Sequence, residues 1–235
     1  TANMDLILKL AREHNLKIVE DSAQALGARF KGKHAGTFGV AGTCSFYPSK
    51  TLGCFGDGGA VFTDDDDVAR YMRLLRDHGR AESGDVVAWG YNARLDNLQA
   101  AILNFKLDKY DQEIDRRREI ASLYDDNLRD LSGLFLPPSP DSDPNHFDVF
   151  QNYEIESDHR DQLRKHLDEN GVSTIVQWGG KTIHQFQDLQ LNSDTPNTEL
   201  LTSRFLLLPM NTSLSNDDVF YICDQIHGYY SKKNT

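Results

Sequence analysis

Along the first half of the chain the spacing of apolar positions changes period several times. Residues 3–14 place Met4, Ile7, Leu8 and Leu10 at helical spacing, and "LKIVED" follows as a short apolar run of strand length. "GTCSFY" and "GGAVFT" are two further strand candidates. The segments "FKGKHAG" and "TFGVAG" carry glycines of the kind that turn a chain between strands. "DDDDVARYMRLLRDHG" then opens on carboxylates, which suit the positive end of a helix, and closes on Gly79, which suits its stop. Strands alternating with helices predict an α/β layer, with "LKIVED" as a buried strand.

The pattern then shifts. Leu95, Leu98, Ile102, Phe105, Ile114, Ile120, Leu123 and Leu128 keep helical spacing with no proline among them, which predicts a long helix, straight or bent. "LPPSPDSDP" places four prolines in nine residues, ends that helix and reads as a linker. Beyond it, "DVFQNYEIE" alternates like a half-buried strand, and "HRDQLRKHLDENG" is a helix closed by Gly171. "VSTIVQW" and "FLLLP" are strands, and "SNDDVFYICDQIHGYY" is a terminal helix capped by Ser215. The expected organisation is a large-domain portion with its linking helix over 1–136 and a small α+β domain over 137–235. The pattern starts on a helix, so an N-terminal part of the large domain is expected to lie outside this sequence.

Composition narrows the function classes. A formal net charge of -11 argues against nucleic acid or an anionic membrane as partner. No apolar run reaches the roughly 18 residues of a membrane span. Three cysteines without CxxC spacing point to a reduced, cytoplasmic setting and away from a disulfide framework or a zinc site. "DDDD" at 64–67 lacks the alternation of a calcium loop, and "RRR" at 116–118 reads as a solvated or interface face of the long helix. His159 and His166 stand seven apart with no third ligand near, so no metal is expected.

The chemistry concentrates in two stretches. In "YPSKTLGCFGDGG" one lysine, Lys50, follows a proline and a serine and precedes Gly53, Gly56, Gly58 and Gly59. The glycines would let the chain approach a flat ligand closely. In "IVEDSAQALGA" an aspartate, Asp21, ends an apolar strand. Each has a plain alternative: a surface lysine in a flexible loop, and an aspartate that caps the next turn. Together they match what a pyridoxal phosphate enzyme asks of its protein. That is a lysine for the Schiff base, an acid against the ring nitrogen, and donors for the phosphate, here Ser45 and Ser49 with nearby amides.

On "VEDSAQALGA" (19–28), "CSFYPSKTLGCFGDGGAVFT" (44–63), "LRDHG" (75–79) and "GYNARLDNLQAAI" (90–102), the chain resembles the DegT/DnrJ/EryC1/StrS family of sugar aminotransferases. The resemblance covers essentially the whole chain. It implies the α/β fold of pyridoxal-phosphate-dependent transferases, with a mixed sheet. It implies that Lys50 carries the cofactor and shuttles the proton, and that Asp21 keeps the ring nitrogen protonated. Ala23 would lie against the ring, Gln24 near its hydroxyl, and Ser45 at the phosphate. Asn92 would reach across a homodimer interface to the partner's phosphate, and Arg94 would stabilise that loop or touch substrate. Dehydratases of the family carry histidine where Lys50 stands, so lysine favours transamination. The implied donor is glutamate and the implied acceptor a keto- or aldehyde-sugar, commonly nucleotide-linked, for bacterial surface polysaccharides or related sugars. "IVQWGGKTIHQF" (175–186) departs from the family's tyrosine-proline pattern. His184 matches its end, while Trp178 and Lys181 are expected to shape the acceptor pocket, with an acidic octulosonate-type sugar as one candidate. The rivals are a pseudo-enzyme or regulatory partner of the same fold, and a sugar dehydratase.

Overall fold

The computed structural model describes residues 1–233. In chain order the elements are α1 (Met4–Glu13), β1 (Val19–Asp21), β2 (Arg29–Phe30), β3 (Lys33–His34), β4 (Ala41–Ser45), β5 (Gly59–Phe62) and α2 (Asp66–Arg76). They continue with α3 (Asn97–Leu107), α4 (Tyr110–Leu128), β6 (Leu134–Phe135), β7 (His146–Phe147) and β8 (Tyr153–Ser157). The last are α5 (Arg160–Glu169), α6 (Pro196–Arg204), β9 (Phe205–Leu208) and α7 (Asn216–Lys233). Two compact units result: residues 1–115 with 143–151, and residues 116–142 with 152–235. Where the sequence suggested one boundary at 136/137, the cuts fall at 115/116, inside α4, and at 142/143 and 151/152.

In the first unit the sheet order is β1-β4-β5, with β1 parallel and β5 antiparallel to β4. β4 is buried at Ala41, Gly42 and Cys44. The expectation of a buried β1 fails: Val19 is 65% exposed, because β1 is an edge strand and nothing described packs over it. Glu20 points to the opposite face, where its carboxylate accepts from the amides of Gly36 (2.8 Å), Phe38 (2.5 Å) and Gly39 (2.8 Å). Those three bonds fix the turn that leads into β4. A second antiparallel sheet runs β3-β2-β7, its hairpin turned by Lys31 and Gly32, both at positive φ as a two-residue hairpin loop requires. α2 starts where Asp65 accepts from the amides of Asp67 (2.9 Å) and Val68 (3.0 Å).

The long helix predicted from Leu95 onward is two helices, broken at Asp108–Lys109. Neither residue is a helix breaker by type. The break lets Tyr110 turn into the core, where its hydroxyl donates to the Leu26 carbonyl (2.7 Å) and meets the Thr51 hydroxyl (2.8 Å). Tertiary bonding thus overrides local propensity. Around Tyr110 the core of this unit gathers Ala28, Leu52, Cys54, Leu103, Ile114 and Val149.

The second unit is an antiparallel sheet, β6-β8-β9, with α5 and α7 packed together. Ile120, Tyr124, Leu128, Ile155, Leu163, Leu167, Leu206 and Ile226 are fully buried there. Each such side chain is worth about 1.5–3 kcal/mol relative to exposure. The predicted strand "VSTIVQW" does not form. Ile175 makes one isolated bridge to Leu207, and the chain then turns through Trp178, Gly179 and Gly180, all at positive φ. Three consecutive left-handed residues cannot extend a strand. Nor is "RRR" solvated: Arg116 donates to Asn216 (2.7 Å) and the Leu214 carbonyl, Arg117 to the Met210 carbonyl (2.9 Å), and Arg118 pairs with Asp141. The carbonyls of the 209–215 loop need donors, and α4 supplies them. Ser215 caps α7 as expected, accepting from the Asp218 amide at 3.1 Å.

Candidate active site

Parallel pairing of β1 with β4 brings their C-terminal ends to one sheet edge, where α/β sheets present ligand-binding residues. Asp21 lies opposite Thr43, and the Ser22 amide extends the pairing to the Thr43 carbonyl at 2.9 Å. Ser45, two residues beyond Thr43, shares its face by strand alternation. Thr43 and Ser45 are half-buried, and Asp21 is exposed. One Asp21 oxygen accepts from the Ala23 amide at 3.0 Å, so this carboxylate does cap the next turn. Its second oxygen has no partner among the described residues and is available to a ligand. The same turn sets Ala23 half-buried and Gln24 exposed.

After Ser45 the chain makes the lysine loop, closed at its base by Phe46 N–H on the Gly58 carbonyl and Cys54 N–H on the Phe46 carbonyl, both at 2.8 Å. Pro48 presets a turn that the Lys50 amide closes on the Tyr47 carbonyl at 2.9 Å. Side chains from distant parts of the unit then pin the loop. Lys106 donates to the Gly53 carbonyl (2.5 Å), Gln99 accepts from the Phe55 amide (2.8 Å), and Gln151 bonds the Ser49 carbonyl and the Thr51 amide (both 2.8 Å). Lys50 itself is half-buried, and its amine has neither ion pair nor hydrogen bond among the described residues. A fixed backbone carrying an uncommitted amine is the central feature of the site.

The glycines have a different purpose from the one their sequence suggested. A Cβ at Gly53 would lie 2.6 Å from the Pro48 carbonyl oxygen, and one at Gly59 would lie 2.8 Å from that of Cys44. Gly56 and Gly58 face Gln99 and the Cys54 sulfur. All four admit neighbouring protein, so the loop can fold against itself.

Asn92 lies at the end of an exposed tongue bearing Val86, Val87, Trp89 and Tyr91, with Trp89 96% exposed. Its side-chain oxygen accepts from Arg94 Nε at 3.2 Å, and Arg94 pairs with Asp77 at 3.5 Å. Arg94 therefore braces the loop that presents Asn92. Trp178, Lys181 and His184 belong to the second unit. Trp178 is 79% exposed, and the Lys181 amine stands 5.9 Å from the centre of the Phe186 ring. His184 is heavily engaged: Nε2 meets Glu199 at 2.7 Å, and Nδ1 meets Thr182 (3.1 Å) and Thr195 (3.2 Å).

Sequence reasoning missed Gln151, Tyr110, Gln99 and Lys106. Gln151, Tyr110 and Lys106 lie outside the motifs that carry the family resemblance, and Gln99, inside "GYNARLDNLQAAI", carries no local sign of its loop contact, because the partners in the loop lie between 44 and 102 residues away.

An uncommitted lysine amine on the loop after β4, a carboxylate with a free oxygen at the end of β1 and a hydroxyl at the end of β4 are the candidate donors the first unit offers. This donor set fits pyridoxal phosphate: amine for aldehyde, carboxylate for ring nitrogen, hydroxyl for phosphate. The chain belongs to the DegT/DnrJ/EryC1/StrS aminotransferase family, whose model matches residues 1–227. A dTDP-3-amino-3,4,6-trideoxy-alpha-D-glucose transaminase of Streptomyces venezuelae is 36% identical over 230 residues, which are 96% of this chain and 59% of that protein. A UDP-2-acetamido-2-deoxy-3-oxo-D-glucuronate aminotransferase of Pseudomonas aeruginosa is 33% identical over 94% of this chain and 61% of its own length. The crystal structure of a DegT/DnrJ/EryC1/StrS aminotransferase from Brucella abortus superposes with a TM-score of 0.90 at 36% identity, covering 98% of this chain and 61% of that one. The fold is thus the aminotransferase fold. The chain spans about three-fifths of the length of the relatives it matches.

Proposed function

We propose that the protein is a pyridoxal-phosphate-dependent aminotransferase that moves an amino group from L-glutamate to a keto- or aldehyde-sugar. The observation that carries this reading is the uncommitted Lys50 amine on a pinned loop that leaves β4 at Ser45, the strand whose Thr43 pairs with Asp21. When bound, the cofactor supplies an electron sink for the pair left behind as a proton leaves the donor's α-carbon. Lys50 would hold it through its amine and, once displaced by the donor, use the neutral Nζ to take that proton and return it. The free oxygen of Asp21 would face the ring nitrogen and keep its proton in place by opposite charge. The Ser45 hydroxyl would donate to the phosphate, and Ala23 would lie against the ring.

The acceptor is proposed to be a nucleotide-linked sugar, or an acidic sugar of the octulosonate type. The two relatives named above carry, in their names, dTDP- and UDP-linked sugars, one of them a glucuronate, which supports a nucleotide-linked acceptor and allows an acidic one. Lys181 is the residue proposed to meet an acceptor phosphate or carboxylate, beside Trp178. The working unit is proposed to be a homodimer acting in the cytoplasm, with Asn92 reaching the partner's phosphate. The exposed apolar side chains of its tongue support the first point and three free, buried cysteines the second. No helix among the described residues is long and apolar enough to cross a membrane.

The test is an assay with L-glutamate and a panel of nucleotide-linked and acidic keto-sugars. The expected products are 2-oxoglutarate and an amino-sugar in equal amounts, with parallel-line, two-stage kinetics. A deoxygenated sugar without nitrogen would contradict the reading in favour of a dehydratase.

A further inference from the structure

One side chain at the lysine loop has no place in the roles above. Gln151 closes the 143–151 segment that returns to the first unit. Just before it, Val149 is fully buried and Phe150 is 4% exposed. Phe150 sits at φ 47, with its amide held by Asp148 Oδ1 at 2.8 Å. A bulky residue takes that left-handed conformation only where its surroundings impose it. Here the turn sends the next side chain to the lysine loop. Gln151 Oε1 accepts from the Thr51 amide and Nε2 donates to the Ser49 carbonyl, each at 2.8 Å. One planar carboxamide therefore holds the peptide groups on both sides of Lys50.

The residue type matters at each atom. A carboxamide offers an acceptor at one end and a donor at the other. A carboxylate would set its second oxygen against the Ser49 carbonyl, and an apolar side chain would bond neither group. The amide is also neutral, so it restrains the lysine backbone without offering the amine a counter-ion. Tyr110 and Lys106 act on the same loop from α4 and α3, but at the Thr51 hydroxyl and the Gly53 carbonyl, further from Lys50.

We propose that Gln151 is a positioning residue for Lys50, fixing the backbone at 49–51 so that a mobile, uncommitted amine is presented from a constant origin. This rests on the reading of Lys50 as the cofactor lysine. A pure packing role would depend on side-chain volume alone, so a volume-matched series separates the two. Gln151→Met keeps the shape and loses both bonds, whereas Gln151→Glu keeps the acceptor for Thr51 and loses the donor for Ser49.

Two measurements on the full chain test it: hydrogen exchange at the Thr51 amide without cofactor, and the rate at which pyridoxal phosphate with borohydride labels Lys50. The expected order of Thr51 protection is wild type, then Glu, then Met, with Met about tenfold or more below wild type. Amides of Leu163 and Ile226 should not change. Labelling of Lys50 should be about tenfold slower in Met. Equal Thr51 protection across the series would overturn the proposal, as would Met labelling at the wild-type rate. If Met does not fold, Glu decides alone: Thr51 protection below wild type with slower labelling supports the clamp, and wild-type protection or wild-type labelling contradicts it. Failure of the wild type to label at Lys50 would instead contradict the functional reading, while the exchange series still judges the clamp.

Discussion

The lysine loop and the 175–190 segment, one in each unit, are built on opposite principles. Residues 46–58 are held by side chains that arrive from far along the chain: Gln99, Lys106, Tyr110 and Gln151. Leu52 and Cys54 are buried in the core beneath them. Beyond the Ile175–Leu207 bridge, residues 176–190 are held mainly by nearer neighbours, through a Thr182/Gln185 capping box and the His184 bonds to Thr182, Thr195 and Glu199. Their large apolar side chains Trp178, Ile183 and Leu189 are exposed. Groups that must meet a fixed cofactor benefit from a rigid support, since small misplacements are costly in rate. A segment proposed to meet variable acceptors can be held by few, local bonds. The difference makes one region intolerant of substitution and the other permissive.

The largest effect on folding should follow from breaking the loop's close approach to itself. Gly53→Ala places a Cβ 2.6 Å from the Pro48 oxygen and 2.7 Å from that of Tyr47, both backbone atoms that cannot swing away. We expect a loss of about 2–3 kcal/mol by urea unfolding, the upper part of the range for overpacking. Tyr110→Phe comes next. It removes the hydroxyl shared by Leu26 and Thr51, for about 1–2 kcal/mol, and should slow Lys50 labelling more than it lowers stability elsewhere.

Alkaline pH should test the second unit separately. Burial pushes the Cys223 thiol up to about 12 from the ordinary 9.0. The unfolded chain then gives up this proton first as pH rises. The contribution is fully present below pH 9 and is lost progressively between about 9 and about 12. Cys223→Ala should flatten the decline of unfolding midpoint in that window. The smallest effect is predicted for Trp178→Gly, which relieves a side chain at φ 52 that is 79% exposed. Stability should stay within about 0.5 kcal/mol, while the KM for the proposed sugar acceptor changes. A large stability loss there would erase the contrast between the two regions.

Much of this was legible in the sequence where local signals decide. Asp65 and Gly79 bracket α2, Ser215 opens α7, and the apolar runs at β4, β5 and β9 form as their spacing predicts. Lys50, Asp21 and Ser45 could be proposed from the sequence because their order along the chain matches one cofactor's needs. What stayed hidden was set by distant partners. Nothing in "LDKYD" marks the break before Tyr110, whose reason is a carbonyl at Leu26. Arg117 looked solvated because the Met210 carbonyl that binds it is 93 residues away. "VSTIVQW" has strand residues, but the following Trp-Gly-Gly takes the left-handed region and only one bridge survives. Gln151 carries no local signal at all.

The central claim is that Lys50 presents the amine that holds the cofactor. The direct measurement is to incubate the protein with pyridoxal phosphate, reduce it with borohydride, digest it and map the phosphopyridoxyl mass. The account predicts one label, on the peptide containing Lys50, and its loss in Lys50→Ala with the fold intact. A label on another lysine, or none on a folded chain, would contradict it.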